Sequence, residues 1–369
     1  MTSASAFSTI KYYAEHIELD EYQPGNILFL SWHSLQTASK DNSQIIAGKR
    51  GVAGDAAGLD ARFRWPRGFM QLTQSNVIIC DTENHCLKLV DRNNGNTTTI
   101  AGQCSAPGYQ DGVTARFNFP WTAVLDNQNS CSILVSENRN CTFRTVNTCG
   151  KNKWTVGTFV KSAELDLLRD FIQGFNGDVY ASANDALYHI NYQTQTVSML
   201  VGSQLGGLQE SAFNETQESA FNETQLSKPQ GLQWVDSDSF LVADLGNDNV
   251  YYCNLIEQSL TSLDLFLFNM TGGQLNQPVS FLLTNYSLYL GTYDKILYFQ
   301  CKLYGMLWIL YIYGMCFKHS IRCFNSIPAM HYLLEFQEMV SQTFSTLVYA
   351  IFYNAFLDMP ILTVPWKLL

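Results

Sequence analysis

Residues 76 to 102, NVIICDTENHCLKLVDRNNGNTTTIAG, decide how the rest of the chain is read. Val77, Ile78 and Ile79 form one β-branched run, Leu87, Leu89 and Val90 a second, and Thr97 to Ile100 a third. Between them stand Asp-Thr-Glu-Asn-His and Arg-Asn-Asn-Gly-Asn, polar segments of the residue types that make tight turns. The stretch reads as three short antiparallel strands in one compact unit.

The unit repeats. Ile46-Ala47-Gly48 returns as Ile100-Ala101-Gly102, and Ala61-Arg62-Phe63-Arg64-Trp65-Pro66 returns as Ala115-Arg116-Phe117-Asn118-Phe119-Pro120, each landmark 54 residues after its first copy. Two independent landmarks with one spacing define an internal repeat, and a period of this length points to propeller blades.

At these residues the chain resembles the NHL-repeat family of β-propellers. The family's pattern is an Ala-Gly, a Gly-Asp-Gly-like turn, an Ala-x-Phe-x-x-Pro and a strand ending in Asp-x-x-Asn-His. Here it is met by AGQC, GYQDG, ARFNFP and CDTENHCLKLVD, in the manner of Cys-containing extracellular animal repeats. The resemblance covers roughly residues 25 to 300 and is most specific between 49 and 157. It implies an all-β ring of four-stranded blades, here six. It implies no single activity, because the fold hosts enzymes, RNA binders and protein-binding platforms alike.

Composition narrows the setting. Charged residues are only 15% of the 369, so Asn, Gln, Ser and Thr must carry solubility, as suits a secreted glycoprotein. The net charge of −10 argues against a nucleic-acid groove, which needs clustered Lys and Arg. Of the ten cysteines, Cys80, Cys86, Cys104, Cys131, Cys141 and Cys149 crowd within 70 residues, and no Cys-x-x-Cys occurs. That favours disulfides over zinc. Cys86 and Cys104 fall on neighbouring segments of one blade and are expected to bridge, with Cys80 the rival partner for Cys86 across its turn. Sequons stand at Asn96, Asn140, Asn214, Asn222, Asn269 and Asn285. Residues 1 to 24 lack the basic head and apolar run of a secretory signal. Either the protein is cytosolic, which would keep its thiols reduced, or the leader is missing from this chain; the expectation is the latter, an extracellular protein, with a membrane-associated protein as the alternative.

Along the chain, residues 1 to 24 read as a leader or partial blade and 25 to 300 as the propeller, in which the first and last segments share a blade so that no strand edge is left open. ESAFNETQ at 210 to 217 is copied at 218 to 225 and reads as a tolerated loop insertion. After Phe299 the pattern stops. The apolar stretches 303 to 317 and 344 to 356 are shorter than the about 20 residues a spanning helix needs. This hydrophobic tail, 301 to 369, is a membrane-associated segment, a buried terminal helix, or translated non-coding sequence, the last favoured by the abrupt loss of pattern.

For chemistry, Asp81, Asn84 and His85, with Asp244 and Asn247, read as a repeated turn staple, the acid accepting turn amides and the Asn taking a left-handed backbone. Propellers of similar fold that act as enzymes hold a central metal. The histidines outside the tail, His16, His33, His85 and His189, share no blade position, so a three-His zinc site is not expected, whereas calcium in the central channel stays open. Trp121 and Trp234, each following a repeat proline, are expected at the upper rim as anchors for a partner. The reading is a monomeric, non-catalytic binding platform for a protein or glycan, with no required cofactor, and the alternative is a calcium-dependent propeller hydrolase or lyase. An enzyme would converge Asp, Asn, Glu or His side chains on the channel.

Overall fold

The structure is a computed structural model. It describes residues 7–10, 14–39, 42–149, 154–202, 218–221, 225–263, 277–283, 287–292 and 296–300. The chain falls into two units, Met1–Met306 and Leu307–Leu369, and everything described belongs to the first. The tail and the sequons at Asn214, Asn222, Asn269 and Asn285 lie outside the described residues.

Six antiparallel sheets make the six blades of an all-β propeller. The first strand, β1 (Phe7–Ile10), belongs to the last blade. Blade one is β2 (His16–Leu19), β3 (Ile27–Ser31), β4 (Ser34–Ala38) and β5 (Ser43–Gly48). Blade two is β6 (Gly68–Thr73), β7 (Asn76–Asp81), β8 (Cys86–Asp91) and β9 (Thr97–Ala101). Blade three is β10 (Pro120–Leu125), β11 (Ser132–Glu137), β12 (Thr142–Asn147) and β13 (Thr155–Lys161). Blade four is β14 (Phe171–Gln173), β15 (Val179–Ala183), β16 (Ala186–Ile190) and β17 (Val197–Gly202). In blade five β18 (Glu218–Ala220) lies outside β22 (Ser259–Ser262), followed inward by β21 (Asn249–Asn254), β20 (Ser239–Asp244) and β19 (Pro229–Trp234). Blade six is β23 (Pro278–Leu283), β24 (Ser287–Thr292) and β25 (Ile296–Gln300), and β1 pairs on its outer edge, Phe7 opposite Phe299 and Ile10 opposite Ile296.

Residues 1 to 24 thus supply two strands in two different blades, β1 outermost in blade six and β2 innermost in blade one. The ring is closed by hydrogen bonds rather than by packing alone, which removes the exposed edge of β25. The second ESAFNETQ copy also differs from the expected plain loop. Its Glu218, Ser219 and Ala220 pair with Thr261, Leu260 and Ser259 and give blade five a fifth strand.

Every core cluster joins two blades, because each sheet buries both faces against neighbours. Leu28, Leu30 and Leu35 of blade one meet Val77, Ile79 and Phe69 of blade two, and Ile78, Cys80 and Leu87 of blade two meet Ile133, Val135 and Ala123 of blade three. The repeat landmarks have their reason here. Phe63 and Phe117 are fully buried, and at Gly48 and Gly102 a Cβ would come within 2.7 Å of those rings while the backbone sits at φ +84° and +85°. Only glycine satisfies both demands.

Two disulfides staple the sheets. Cys86 is bonded to Cys104 and Cys131 to Cys149. Cys80 was the rival for Cys86, but Cys80 stands opposite Leu87 while Cys86 stands opposite Asp81. The one-residue offset puts the two sulfurs on opposite faces of the sheet, and Cys80 and Cys141 are free. Of the two described sequons, Asn96 is exposed. Asn140, by contrast, spends its amide nitrogen on Gly108 O at 3.0 Å and Glu137 Oε1 at 2.9 Å, so its nitrogen is not free to receive a glycan.

Candidate functional site

In blades two, three and five the repeated turn locks the blade to the loop that feeds it. Asp81 Oδ1 accepts from the backbone N–H of Arg64 at 2.7 Å, and Oδ2 accepts from Asn84 Nδ2 at 2.7 Å and pairs with Lys88 Nζ at 2.8 Å. Asn84 also donates to Gly54 O, and Lys88 reaches Asp55. Blade three repeats the arrangement with Glu137, Asn140 and Arg144, where Glu137 accepts from Asn118 N and Arg144 extends to Asp111. In blade five Asp244 accepts from Ser227 N and Asn247 Nδ2, both at 2.7 Å, but Tyr251 takes the register of Lys88 and no cation is supplied. The expected staple is corrected in two respects. The acid holds a loop that arrives 17 residues earlier, not its own turn amides, and the left-handed residue is His85 or Asp248, not Asn84 or Asn247.

Burial pushes Asp81 up to about 6 against the pull of Lys88, and it pushes Asp244 up to about 7, with the Asp185 charge adding to the effect. His33 and His85 do share a blade position, contrary to the sequence reading. Each accepts, through Nδ1, the N–H of the residue before a repeat proline in the next blade, Trp65 at 3.1 Å and Phe119 at 3.2 Å. Burial and the nearby Arg64 charge hold both imidazoles below the usual His value, in keeping with the neutral acceptor form.

The innermost strands pack on one another around the axis, and the equivalent residues at or just before their starts form a ring at one mouth of the channel: Glu15, Arg67, Trp121, Arg169, Gln230 and Val279 in blade order. A Cβ at Gly68 would strike Trp121 O, and one at Gly231 would strike Val279 O, which shows how closely successive blades approach. Glu15 is ion-paired with Arg67 and bonded by the Gln230 side chain. Arg67 lies over two indoles, 5.6 Å from Trp65 and 5.0 Å from Trp121, and the exposed Trp32 ring continues the row 5.8 Å from Trp65. Trp32 and Trp65 hold φ of 51° and 44°, a backbone bulky residues rarely adopt.

The ring is clamped from behind. Ser136 Oγ donates to Arg169 O at 2.8 Å, and Ser182 Oγ donates to Gln230 O at 2.9 Å. One layer deeper, His16 and Asp170 attract each other across the channel from opposite blades. Asp170 accepts from Leu232 N at 2.8 Å and from the Thr122 side chain. Burial raises Glu15 and Asp170 above the usual carboxylate range. His16 is also raised, because Glu18 and then Asp170 outweigh its burial.

Of these residues the sequence pointed to Trp121 as a rim residue and to His16 only among possible metal ligands, and it did not point to Glu15, Arg67, Arg169, Asp170 or Gln230. The missed signal for Arg67 and Gln230 is the offset they share with Trp121 from the repeat prolines, Pro66, Pro229 and Pro120, whereas no proline precedes Glu15 or Arg169. Trp234 does not share Trp121's place. The repeats align through their prolines, so Gln230 takes Trp121's place and Trp234 sits four residues further on, at the far end of β19. There its ring packs on Tyr180 and Phe240, and Nε1 donates to Gln173 O at 3.1 Å. His189 pairs with Asp178 at 3.0 Å, away from the mouth. Among the described residues, the group of three or more His, Cys and carboxylate ligand atoms within 4.8 Å of one another is that of Asp55, Cys86 and Cys104, and the two sulfurs there are bonded to each other.

No family model matches the chain, and no curated protein is similar to it. Solved structures share its fold. An auxiliary nutrient binding protein from Bacteroides thetaiotaomicron VPI-5482 is 9% identical, with 81% of this chain and 74% of that one covered and a TM-score of 0.54. Another from Bacteroides ovatus ATCC 8483 is 11% identical, with coverage of 80% and 73% and a TM-score of 0.53. A streptogramin B lyase structure is 10% identical, with coverage of 79% and 96% and a TM-score of 0.47. At these identities the likeness is one of fold.

Proposed function

We propose that the chain is an extracellular, NHL-type binding platform that takes a protein or glycan partner at the channel mouth. The observation that carries this is the row Trp32, Trp65, Arg67 and Trp121, in which three indoles and a guanidinium from three blades stack into one partly exposed strip. Tryptophan and arginine are the side chains that most often dominate binding energy, and the strained backbone at Trp32 and Trp65 presents them without freedom to lose. Two disulfides support an oxidising setting. The test is surface plasmon resonance of the immobilised protein against purified matrix glycoproteins and free oligosaccharides. Selective binding that disappears in Trp32→Ala and Trp65→Ala supports the platform; binding indifferent to both substitutions refutes it.

A second reading, a hydrolase or lyase, draws on Glu15, His16 and Asp170 inside the channel, since ionisable groups with raised proton affinity in a cleft are the material of acid-base chemistry. A calcium ion would have to draw on these carboxylates. Turnover of lactone or ester probes that calcium restores after chelation, and that Asp170→Asn abolishes, would favour it over the platform.

A further inference from the structure

We propose that the channel mouth binds an uncharged saccharide, one sugar ring lying on Trp121 with its hydroxyls bridging Arg169 and Asp185. This rests on the platform reading and names the ligand class for the same site.

Arg169 is a largely enclosed guanidinium of the mouth. Its backbone is fixed by Ser182 O, which accepts its N–H at 2.9 Å, and by the Ser136 hydroxyl. Its Nη1 is held by two main-chain carbonyls, Asn184 O at 3.0 Å and Pro229 O at 3.5 Å. Among the described residues no carboxylate comes within 4.0 Å of it, although it is largely enclosed by protein. Asp185 and Asp166 are near enough to attract it, and Arg67 near enough to repel it. Asp185 is equally incomplete, since Oδ1 accepts the N–H of Lys228 at 2.8 Å and the carboxylate has no ion pair among the described residues.

A guanidinium only donates and a carboxylate only accepts. Held apart yet within electrostatic range, the two are joined by a group that accepts and donates at once, which is what a hydroxyl does. A ligand carboxylate would satisfy Arg169 but meet Asp185 and Asp166. An ammonium would meet the Arg169 guanidinium. Arg67 is no spare cation, because Glu15 already neutralises it. The charges of the mouth therefore select a neutral polyhydroxylated ligand, and the net charge of −10 works against extended polyanions. Trp121 at the neighbouring ring position supplies the remaining requirement, a flat apolar surface with a polar edge. One aromatic wall with a few fixed polar groups is the set of side chains that small-molecule sites use. The exposed row through Trp65 to Trp32 leads outward from the mouth, so an oligosaccharide finds further flat surfaces along it.

The experiment is titration of the full chain with uncharged trisaccharides (maltotriose, cellotriose and tri-N-acetylchitotriose), followed by tryptophan fluorescence and calorimetry. Trigalacturonate and chitosan trimer serve as the anionic and cationic counterparts. The expected result is saturable binding of a neutral trisaccharide with a shift in emission, weakened about tenfold or more by Trp121→Ala and by Asp185→Asn. Asn at 185 keeps an oxygen for Lys228 N but loses the charge. Arg169→Lys is the companion variant, keeping the cation but losing the fork, and is expected to weaken binding by a similar factor. Variants are compared only where circular dichroism and melting match the parent. The proposal is overturned if no neutral trisaccharide binds at millimolar concentration, if the charged sugars bind as well or better, or if the substitutions leave affinity unchanged. Binding of the charged sugars or of a protein that still depends on Trp32 and Trp65 would sink the saccharide assignment while leaving the platform standing.

Discussion

Arg144 offers the sharpest test of how the blades are locked. It is fully buried and donates to Glu137 Oε2 at 2.8 Å, to Asp111, and to the carbonyls of Gln110, Arg116 and Gly157 at 2.9, 3.2 and 3.3 Å. Arg144→Met keeps much of the apolar stem and removes the charge. Glu137, also fully buried, is then left with Asn118 N and Asn140 Nδ2 as donors. Removing one partner of a buried pair costs about 3 to 5 kcal/mol, a large share of the about 5 to 15 kcal/mol that holds a domain together. The double variant Arg144→Met with Glu137→Gln should recover most of that loss, because the Gln oxygen still accepts from Asn118 and Asn140 and no buried charge remains, Asp111 being solvent-exposed. The sign with pH is fixed as well. Burial already raises Glu137 above its unfolded value, so the folded state binds the proton more tightly, and without Arg144 more tightly still. The deficit of the single variant should therefore shrink as pH falls toward the usual carboxylate range and grow as pH rises. Urea unfolding at several pH values, with the disulfides intact and the slope m compared between variants, reads all of this. A single variant less than about 1 kcal/mol below the parent, or a double variant no better than the single, would refute the lock.

Asp244 has no cation partner among the described residues, and burial raises its pKa in the folded state to about 7, well above the usual carboxylate range. The parent should therefore lose stability as pH rises from about 4 to 7, and Asp244→Asn should flatten that slope in the same unfolding series. Peptide mapping without reduction should recover the Cys86–Cys104 and Cys131–Cys149 linkages with Cys80 and Cys141 as thiols. Reducing either bond, each spanning 18 residues, should cost about 3 kcal/mol in the chain-entropy account. A chain ending at Gln300 should stay soluble and β-rich because β1 closes the ring, whereas deletion of residues 1 to 13 strips β1 from β25 and should aggregate, as light scattering will show.

What the sequence determined by itself was local and periodic. Turn chemistry, β-branched runs and the spacing from Phe63 to Phe117 set strands, blades and their number, because strand alternation and tight turns are short-range properties. The Cys86–Cys104 bond was legible for the same reason, its partners lying within one blade. What only the tertiary structure decided was every contact between blades. Asp81 looks like the staple of its own turn, and only the folded ring brings Arg64 N to it. His33 and His85 look unrelated until the next blade's Trp65 and Phe119 arrive with the same N–H. Trp234 looks like Trp121 until proline-to-proline alignment sends it to the opposite end of its strand. The channel mouth is the extreme case: Glu15 and Gln230 stand 215 positions apart in the chain and touch because six inner strands converge on one axis. Each blade contributes a single residue there, so no window of sequence contains the site, and only closure of the ring assembles it.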